Sequence, residues 1–204
     1  MLVIGLTGGI GTGKTQVSQI LEGLGATIIN ADLLGHEAYL PQTETWKEVV
    51  AAFGEDILAE SGEIDRRKLG GVVFSDPEAL KQLNAIMHPR MYTMIEERIK
   101  GLQETGHETI LVEAAVLIEA NWTPLMDEVW VTTSPEDQVV ERLKGRNNMG
   151  EEAVRARISS QMSQEDRSKH ADVVIENGGG MAELNDKIQE LWKNRVLAHK
   201  ENRK

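Results

Sequence analysis

Eleven residues near the start of the chain, GLTGGIGTGKT at positions 5–15, combine glycines with a lysine and hydroxyl side chains. The part from Gly8 to Thr15 fits the pattern G-x-x-x-x-G-K-[ST] of a phosphate-binding loop. Glycines let successive backbone N–H groups turn toward a phosphate, Lys14 can bring a positive charge to the β and γ phosphates, and the Thr15 hydroxyl can ligate Mg²⁺. The residues predicted to hold the nucleotide are Gly8, Gly9, Ile10, Gly11, Thr12, Gly13, Lys14 and Thr15.

The sequence on either side of this loop supports the prediction. LVIGL, at 2–6, is an apolar run typical of a buried parallel strand, and residues 14–24 place apolar side chains at helical spacing before Gly25. A strand before and a helix after are the context that a phosphate loop requires, and the helix N-terminus adds a partial positive charge. We therefore predict that the chain binds ATP or another nucleoside triphosphate with Mg²⁺.

A carboxylate, Asp32, follows the second predicted strand, ATIIN at 26–30. Open α/β sheets place their chemistry at such strand ends, where a carboxylate can act as general base for a hydroxyl that attacks the γ-phosphate. The alternative is that Asp32 only caps a helix starting at Leu33. The stretch Asp32 to Gly35 imitates the D-x-x-G of a GTPase, but the chain has no N-K-x-D motif, which makes a GTPase a poor fit.

Two further groups of charged residues are candidates for the site. Glu113 ends the apolar run TILV, where phosphate-loop proteins often keep a carboxylate near Mg²⁺; the alternative is a strand-end acid with a structural partner. Arg142 and Arg146 lie four residues apart and so share a helical face. They could close over the phosphates as part of a lid, or they could be solvated and paired with neighbouring acids. Further arginines in the same polar segment are Arg155, Arg157 and Arg167.

The order of predicted elements indicates an α/β fold. Strands are expected at 2–6, 26–30, 109–118, 127–133 and 172–177, separated by helices, which predicts a mostly parallel sheet of about five strands in a three-layer α/β/α arrangement. Between 33 and 106 only helices are expected, among them SDPEALKQLNAIM and a separate helix opened by His88-Pro89. A last helix is expected at about 181–198.

These patterns divide the chain into three parts. We expect a nucleotide-binding core from 1–32, 107–137 and 171–204, a helical insertion at 33–106, and an arginine-bearing lid at 138–170.

Composition limits the functional classes. The chain has 204 residues, a formal net charge of −11 and no cysteine. The negative field disfavours broad binding to nucleic acid or to anionic membranes, and the missing thiols exclude disulfides and cysteine-based chemistry. The N-terminus does not resemble a signal peptide, and no apolar run approaches the roughly 18 residues of a membrane span. We expect a cytoplasmic protein, and a monomer.

Several segments together resemble the dephospho-CoA kinase family of phosphate-loop kinases. They are GLTGGIGTGKT (5–15), NAD (30–32), LNAIMHP (83–89), VEAAVLIE (112–119), ERLKGRNNMGEEAVRARISSQ (141–161) and ADVVIEN (171–177). Only the phosphate loop is specific by itself; the order and spacing of the others carry the resemblance, which covers about residues 2 to 192.

The resemblance implies transfer of the γ-phosphoryl group of ATP to the ribose 3′-hydroxyl of dephospho-CoA, with Mg²⁺. It implies that Asp32 is the base at the acceptor hydroxyl and that His88, with the 33–106 helices, belongs to the acceptor site. Arg142 and Arg146 resemble lid residues at the phosphates, and Asn177 resembles a position beside the adenine.

One departure affects the role of Glu113. Where the family usually has aspartate followed by Pro-Leu-Leu-Phe-Glu, this chain has Glu113-Ala114-Ala115-Val116-Leu117-Ile118-Glu119. Glutamate must then serve the Mg²⁺ or the substrate in place of aspartate, and a proline-set turn is missing. Two other hypotheses stay open at this point: a kinase for another small alcohol or nucleoside, and an ATP-binding regulatory module without catalysis.

Overall fold

The computed structural model describes residues 1–147 and 150–201, except for the side chains of 146 and 147. The chain forms two compact units. The first comprises Met1–Ile29 and Ile99–Lys204, and the second comprises Asn30–Arg98.

A five-stranded sheet carries the phosphate loop. Its strands are β1 (Leu2–Gly8), β2 (Thr27–Asn30), β3 (Thr109–Glu113), β4 (Glu128–Thr133) and β5 (Val173–Glu176), in the spatial order β2-β3-β1-β4-β5. The pairs β1 with β3, β1 with β4, and β4 with β5 are parallel. Every residue of β1 is buried, which explains its uninterrupted apolar sequence. The predicted α/β class with about five strands is confirmed.

The first unit also contains helices. They are α1 (Lys14–Gly23), α6 (Glu136–Asn147), α7 (Glu151–Ser159), α8 (Gln164–Ser168), α9 (Met181–Leu191) and α10 (Ala198–Glu201), with a π-helical turn at Trp192–Leu197 between the last two. The main core joins β1, α1 and α9 through Leu6, Leu21 and Ile188, each with none of its surface exposed. The predicted final helix is therefore real, but a π turn interrupts it.

The second unit is helical, as predicted. It contains α2 (Ala31–Ala38), α3 (Glu44–Phe53), α4 (Arg66–Val73) and the start of α5 (Pro77–Glu104), with a short 3₁₀ turn at Glu55–Ile57. Its core is built around Val49, Ile57 and Leu69. The structure describes no strand here, only an isolated bridge between Leu58 and Ile64.

The expectation of two helices meeting at His88-Pro89 is wrong. The 28-residue helix α5 runs through Pro89 without ending. Proline has no N–H for the carbonyl one turn earlier, which costs a helical hydrogen bond, but buried residues continue at helical spacing beyond it, at Met91 and Ile95. Tertiary packing therefore outweighs the local break.

A second correction concerns β3. The expected strand at 109–118 ends at Glu113, and 115–120 form turns. Another short 3₁₀ turn follows at Thr123–Leu125. None of the helices within residues 1–147 and 150–201 combines the length and the apolar character that crossing a bilayer requires.

Candidate active site

The phosphate loop leaves the end of β1 and enters α1 through a series of glycine-dependent turns. Gly11 and Gly13 have φ of 74° and 101°, a region that other residues rarely adopt. A side chain at Gly8 would lie 2.6 Å from the carbonyl oxygen of Thr132 on β4. The loop sequence therefore follows from backbone geometry and close packing.

Lys14 and Thr12 stabilise the loop from within. Lys14 Nζ donates to the carbonyl oxygen of Gly8 at 2.8 Å and to that of Gly9 at 3.3 Å. Thr12 Oγ1 donates to the Gly9 carbonyl at 2.8 Å and lies 2.7 Å from Thr132 Oγ1. Thr12 as a whole is 1% exposed, so its contacts hold the loop from the inside.

Asn177 supports the loop from the end of β5. Its backbone N–H donates to Thr133, and its side-chain Nδ2 donates to the carbonyl oxygen of Thr12 at 3.0 Å. Asn177 is 7% exposed. The structure therefore places this residue, expected beside the adenine, directly against the phosphate loop.

Arg142 of α6 contacts the same part of the site. Its Nη1 donates to the carbonyl oxygen of Gly11 at 3.4 Å and to Ser134 Oγ at 3.0 Å, while its Nη2 donates to the Asn177 carbonyl at 3.0 Å and to Gln138 Oε1 at 3.3 Å. The guanidinium thus joins the phosphate loop, the end of β4 and the end of β5. The side chain of Arg146 lies outside the described residues.

Thr15 and Glu113 form the candidate Mg²⁺ position. Glu113 lies opposite Leu6 in the sheet, at the carboxyl ends of the strands, where the phosphate loop begins. Thr15 Oγ1 is 3.5 Å from Glu113 Oε1. Within residues 1–147 and 150–201 no group of three or more His, Cys, Asp or Glu side chains could hold a metal ion. A hydroxyl and one carboxylate fit Mg²⁺, which prefers oxygen ligands and takes the remainder from phosphates and water.

The other arginines of the polar segment separate into different environments. Arg155 on α7 is half exposed and pairs with Glu136, Asp137 and Glu151; of the acids expected to pair with a solvated arginine, Glu141, Glu151 and Glu152, only Glu151 does so with Arg155. Arg167 on α8 does not belong to any exposed arginine cluster, because it is 1% exposed and pairs with Glu119. Burial of Arg167 was not expected from its polar sequence context.

Sequence reasoning also missed two glutamines. Gln161 Oε1 accepts a hydrogen bond from the Ile10 N–H at 2.9 Å. The side-chain amide of Gln164 bonds to both backbone groups of Ser134. It accepts from the N–H at 2.9 Å and donates to the carbonyl oxygen at 3.0 Å. Glutamines in a polar helical segment have no distinctive spacing, so the sequence offered no sign of these contacts.

The side chain of Ile10 connects the phosphate loop to the α6–α7 pair. It packs against a small apolar cluster of these helices. The members of that cluster are Val139, Val140, Leu143 and Val154, with Ile158 at its margin. The segment 138–170 is therefore part of the same compact unit as the loop.

A cavity of about 620 Å³ opens beside the ends of β4 and β5. Its walls include Thr133, Pro135, Glu176, Gly178 and Lys187. Backbone and polar side chains of two strand ends thus surround a space large enough for an aromatic base.

Asp32 and His88 lie in the second unit. Asn30 is the N-cap of α2, since its side chain accepts from the Leu33 N–H at 3.1 Å, so the alternative that Asp32 is this cap is wrong. Asp32 is exposed in the first turn of α2, and its carboxylate has no hydrogen bond or ion pair with the described part of the chain. His88 is half-buried in the interior of α5.

The loop, its lysine and hydroxyl, and the five-stranded parallel arrangement define a phosphate-loop nucleotide-binding α/β protein. Residues 2–183 match the family model for dephospho-CoA kinase. Dephospho-CoA kinase of Geobacter sulfurreducens is 43% identical over 195 residues, covering 96% of this chain and 99% of that protein. The chain belongs to the dephospho-CoA kinase family, and is thus a kinase that transfers phosphate from ATP to an alcohol group.

Solved structures agree with this assignment. The crystal structure of TT1252 from Thermus thermophilus has a TM-score of 0.79 at 30% identity, covering 95% of this chain and 97% of that one. Dephospho-CoA kinase from Campylobacter jejuni has a TM-score of 0.69 at 26% identity, covering 94% and 95%.

Proposed function

We propose that this protein transfers the γ-phosphoryl group of ATP to the ribose 3′-hydroxyl of dephospho-CoA, giving coenzyme A and ADP. In a chain of this family, the observation that carries the proposal is the approach of Thr15 Oγ1 to Glu113 Oε1, 3.5 Å apart, at the mouth of the phosphate loop. That arrangement suits a Mg²⁺–triphosphate complex, which phosphoryl transfer requires.

The first unit binds ATP, the phosphoryl donor. Backbone N–H groups of residues 8–15 and the N-terminus of α1 bind the phosphates, and Lys14 exchanges its carbonyl partners for phosphate oxygens. The cavity at the ends of β4 and β5 takes the adenine, with Asn177 behind it. The phosphates and the adenine then lie on either side of the Asn177 side chain.

Thr15 and Glu113 would hold Mg²⁺, Thr15 through its hydroxyl and Glu113 through its carboxylate or a bound water. The ion supplies positive charge to the phosphate oxygens when it is bound. Glu113 stands where the resemblance has aspartate, and its carboxylate lies beside the Thr15 hydroxyl.

The acceptor half uses the helices of residues 33–106, with His88 among the substrate contacts. Asp32 accepts the proton of the 3′-hydroxyl, whose oxygen then forms a bond to the γ-phosphorus while the bond to the oxygen bridging the β and γ phosphates breaks. The exposed carboxylate of Asp32, without partners in the described part of the chain, is suited to this task.

Arg142 and Arg146 neutralise the developing charge, and residues 138–170 exclude water that would otherwise hydrolyse ATP. Arg142 already lies within hydrogen-bonding distance of the Gly11 carbonyl, so a small movement of its guanidinium brings it to a phosphate. We also propose that the protein works as a monomer in the cytoplasm.

The direct test is to incubate the purified protein with ATP, Mg²⁺ and dephospho-CoA and to identify coenzyme A by chromatography and mass spectrometry. Coenzyme A formation that requires Mg²⁺ is the expected result. A panel of nucleosides and small alcohols in place of dephospho-CoA measures the specificity.

The other outcomes identify the alternatives. Faster phosphorylation of a different acceptor would replace dephospho-CoA with that alcohol. Tight ATP binding without transfer to any acceptor would contradict the proposal and support a regulatory module. Size-exclusion chromatography with light scattering tests the monomer.

A further inference from the structure

Arg167 is a buried cation that the proposed mechanism does not use. It lies on α8, within a segment of charged and polar side chains, yet only 1% of its surface is exposed. A buried guanidinium is costly unless partners satisfy it, so its contacts indicate what it is for.

Two groups of partners hold the guanidinium. Glu119 binds it in a two-pronged ion pair, with Nη2 2.6 Å from Oε1 and Nη1 3.2 Å from Oε2. The same Nη1 donates to Thr7 Oγ1 at 3.2 Å and to the Ala115 carbonyl at 3.1 Å. The Thr7 hydroxyl in turn donates to the Ala115 carbonyl oxygen, with Oγ1 3.3 Å away.

The positions of these partners are informative. Thr7 is wholly buried on β1 and directly precedes Gly8, where the phosphate loop begins. Ala115 lies in the turn after β3, two residues beyond Glu113, which is the last residue of that strand. The regular pairing of β1 with β3 ends with the bond from the Ala114 N–H to the Leu6 carbonyl. Beyond it, Arg167 and Thr7 continue the connection between the two chain segments.

We propose that Arg167 is a positioning residue for the Mg²⁺ and phosphate half of the site. Through Thr7 and Ala115 it sets the separation of the phosphate loop from Glu113, and Glu119 compensates its charge and holds its orientation. This inference rests on the proposed function for the role of Thr15 and Glu113. It explains how the turns at 115–120 keep their shape without a proline.

The experiment compares three variants with the parent protein. The double variant Arg167→Met, Glu119→Leu removes both charges together, which often leaves stability unchanged. Arg167→Lys keeps a cation for Glu119 but, as a single point donor, cannot also hold Thr7 and Ala115 in the same geometry. Lys169→Met removes an exposed cation of the same segment and serves as the control.

For each protein we would measure thermal unfolding, kcat and KM, and the Mg²⁺ dependence of ATP binding by calorimetry. The expected result is that both Arg167 variants fold, weaken the Mg²⁺-dependent part of ATP binding, and lose roughly ten- to a hundredfold in kcat/KM, as small misplacements of reacting groups do. Lys169→Met should match the parent in all of these measurements.

Folded Arg167 variants with the parent's kcat/KM and Mg²⁺ response would overturn the inference and leave Arg167 with a purely structural role. If the double variant does not fold, Arg167→Lys decides the question by the same measurements. If the parent forms no coenzyme A, the proposed function fails, but the Mg²⁺ dependence of ATP binding still tests the positioning role of Arg167.

Discussion

The side-chain amide of Asn177 donates to the carbonyl oxygen of Thr12 at 3.0 Å, so the end of β5 supports the phosphate loop at its centre. The two residues are distant in sequence and adjacent in space. Arg142 adds to this support, because it binds both the Asn177 carbonyl and the Gly11 carbonyl. These contacts restrict the loop to one conformation, and such restriction lowers the entropic cost of binding a phosphate.

Asn177→Ala should weaken both the loop and ATP binding. Removing the amide leaves the buried Thr12 carbonyl without this donor, a cost of about 1–3 kcal/mol. We expect lower stability in urea unfolding and a higher KM for ATP, with a smaller change in KM for the acceptor.

Asn194→Ala is the matched control, since Asn194 is exposed in the π-helical turn. A variant of Asn177 that retains the parent's urea midpoint and KM for ATP would show that the hydrogen bond to Thr12 contributes nothing to the site.

Gly13→Ala should inactivate the protein, whereas Gly23→Ala should not. Gly13 has φ of 101°, and a side chain there would collide with the Asn177 amide, so strain of about 1–3 kcal/mol adds to the steric conflict. Gly23 is the last residue of α1, and a methyl group there would meet no atom within 4 Å beyond its chain neighbours and its own helix backbone, while alanine favours the helix by up to about 1 kcal/mol.

Calorimetric titration with ATP and thermal unfolding measure both effects. Comparable ATP affinity in the two variants would contradict the assignment of Gly13 to the phosphate site.

The contrast between predicted and observed features shows what local sequence determines. The phosphate loop was predictable because its conformation depends on adjacent residues: glycines at Gly11 and Gly13 permit the turns, and β1 and α1 are continuous with them. Glu113 could be singled out because it ends the apolar run TILV, although the expected strand continued to 118 and the observed strand ends at Glu113.

Features that depend on distant partners were not predictable in this way. Arg155 and Arg167 occur in the same polar segment, yet only Arg167 is buried, because Glu119 and Thr7 lie beside it in the fold. Likewise, Pro89 indicated a helix boundary, but α5 continues because later residues such as Ile95 are buried. A single sequence does not reveal which distant residues will pair with a buried charge or offset a break in a helix.

Asp32→Asn should separate chemistry from binding. The amide keeps the size of the carboxylate but cannot accept the proton of the acceptor hydroxyl. General base catalysis contributes roughly 10²- to 10⁴-fold, so we expect a loss of that order in kcat. The Kd for ATP should change little. Rapid-quench measurement of coenzyme A formation, together with calorimetric ATP titration, distinguishes the two quantities.

Asp56→Asn, which alters another exposed acid of the helical unit, is the control. Undiminished turnover in Asp32→Asn would remove Asp32 from the role of base.

Ion pairs between α6 and α7 make the association of these helices sensitive to pH and salt. Hydrogen bonds from Arg155 and Lys144 to Glu151 hold the pKa of that carboxyl below its ordinary value. A lowered folded-state pKa means that Glu151 stabilises the fold above its unfolded pKa of about 4.3, and that this contribution is lost as the pH falls through the folded value.

Glu151→Gln should reproduce at neutral pH the loss that acid causes. It removes the charge that Lys144 of α6 and Arg155 of α7 share, so α7 should exchange its backbone amide hydrogens faster, and added salt should have less effect than in the parent. Glu152→Gln is the matched control, because its exposed carboxylate has no ion pair with the described residues. Hydrogen exchange read by mass spectrometry over residues 150–159 makes the comparison, and equal exchange in both variants would mean that the ion pair between Lys144 and Glu151 contributes nothing to holding α7 against α6.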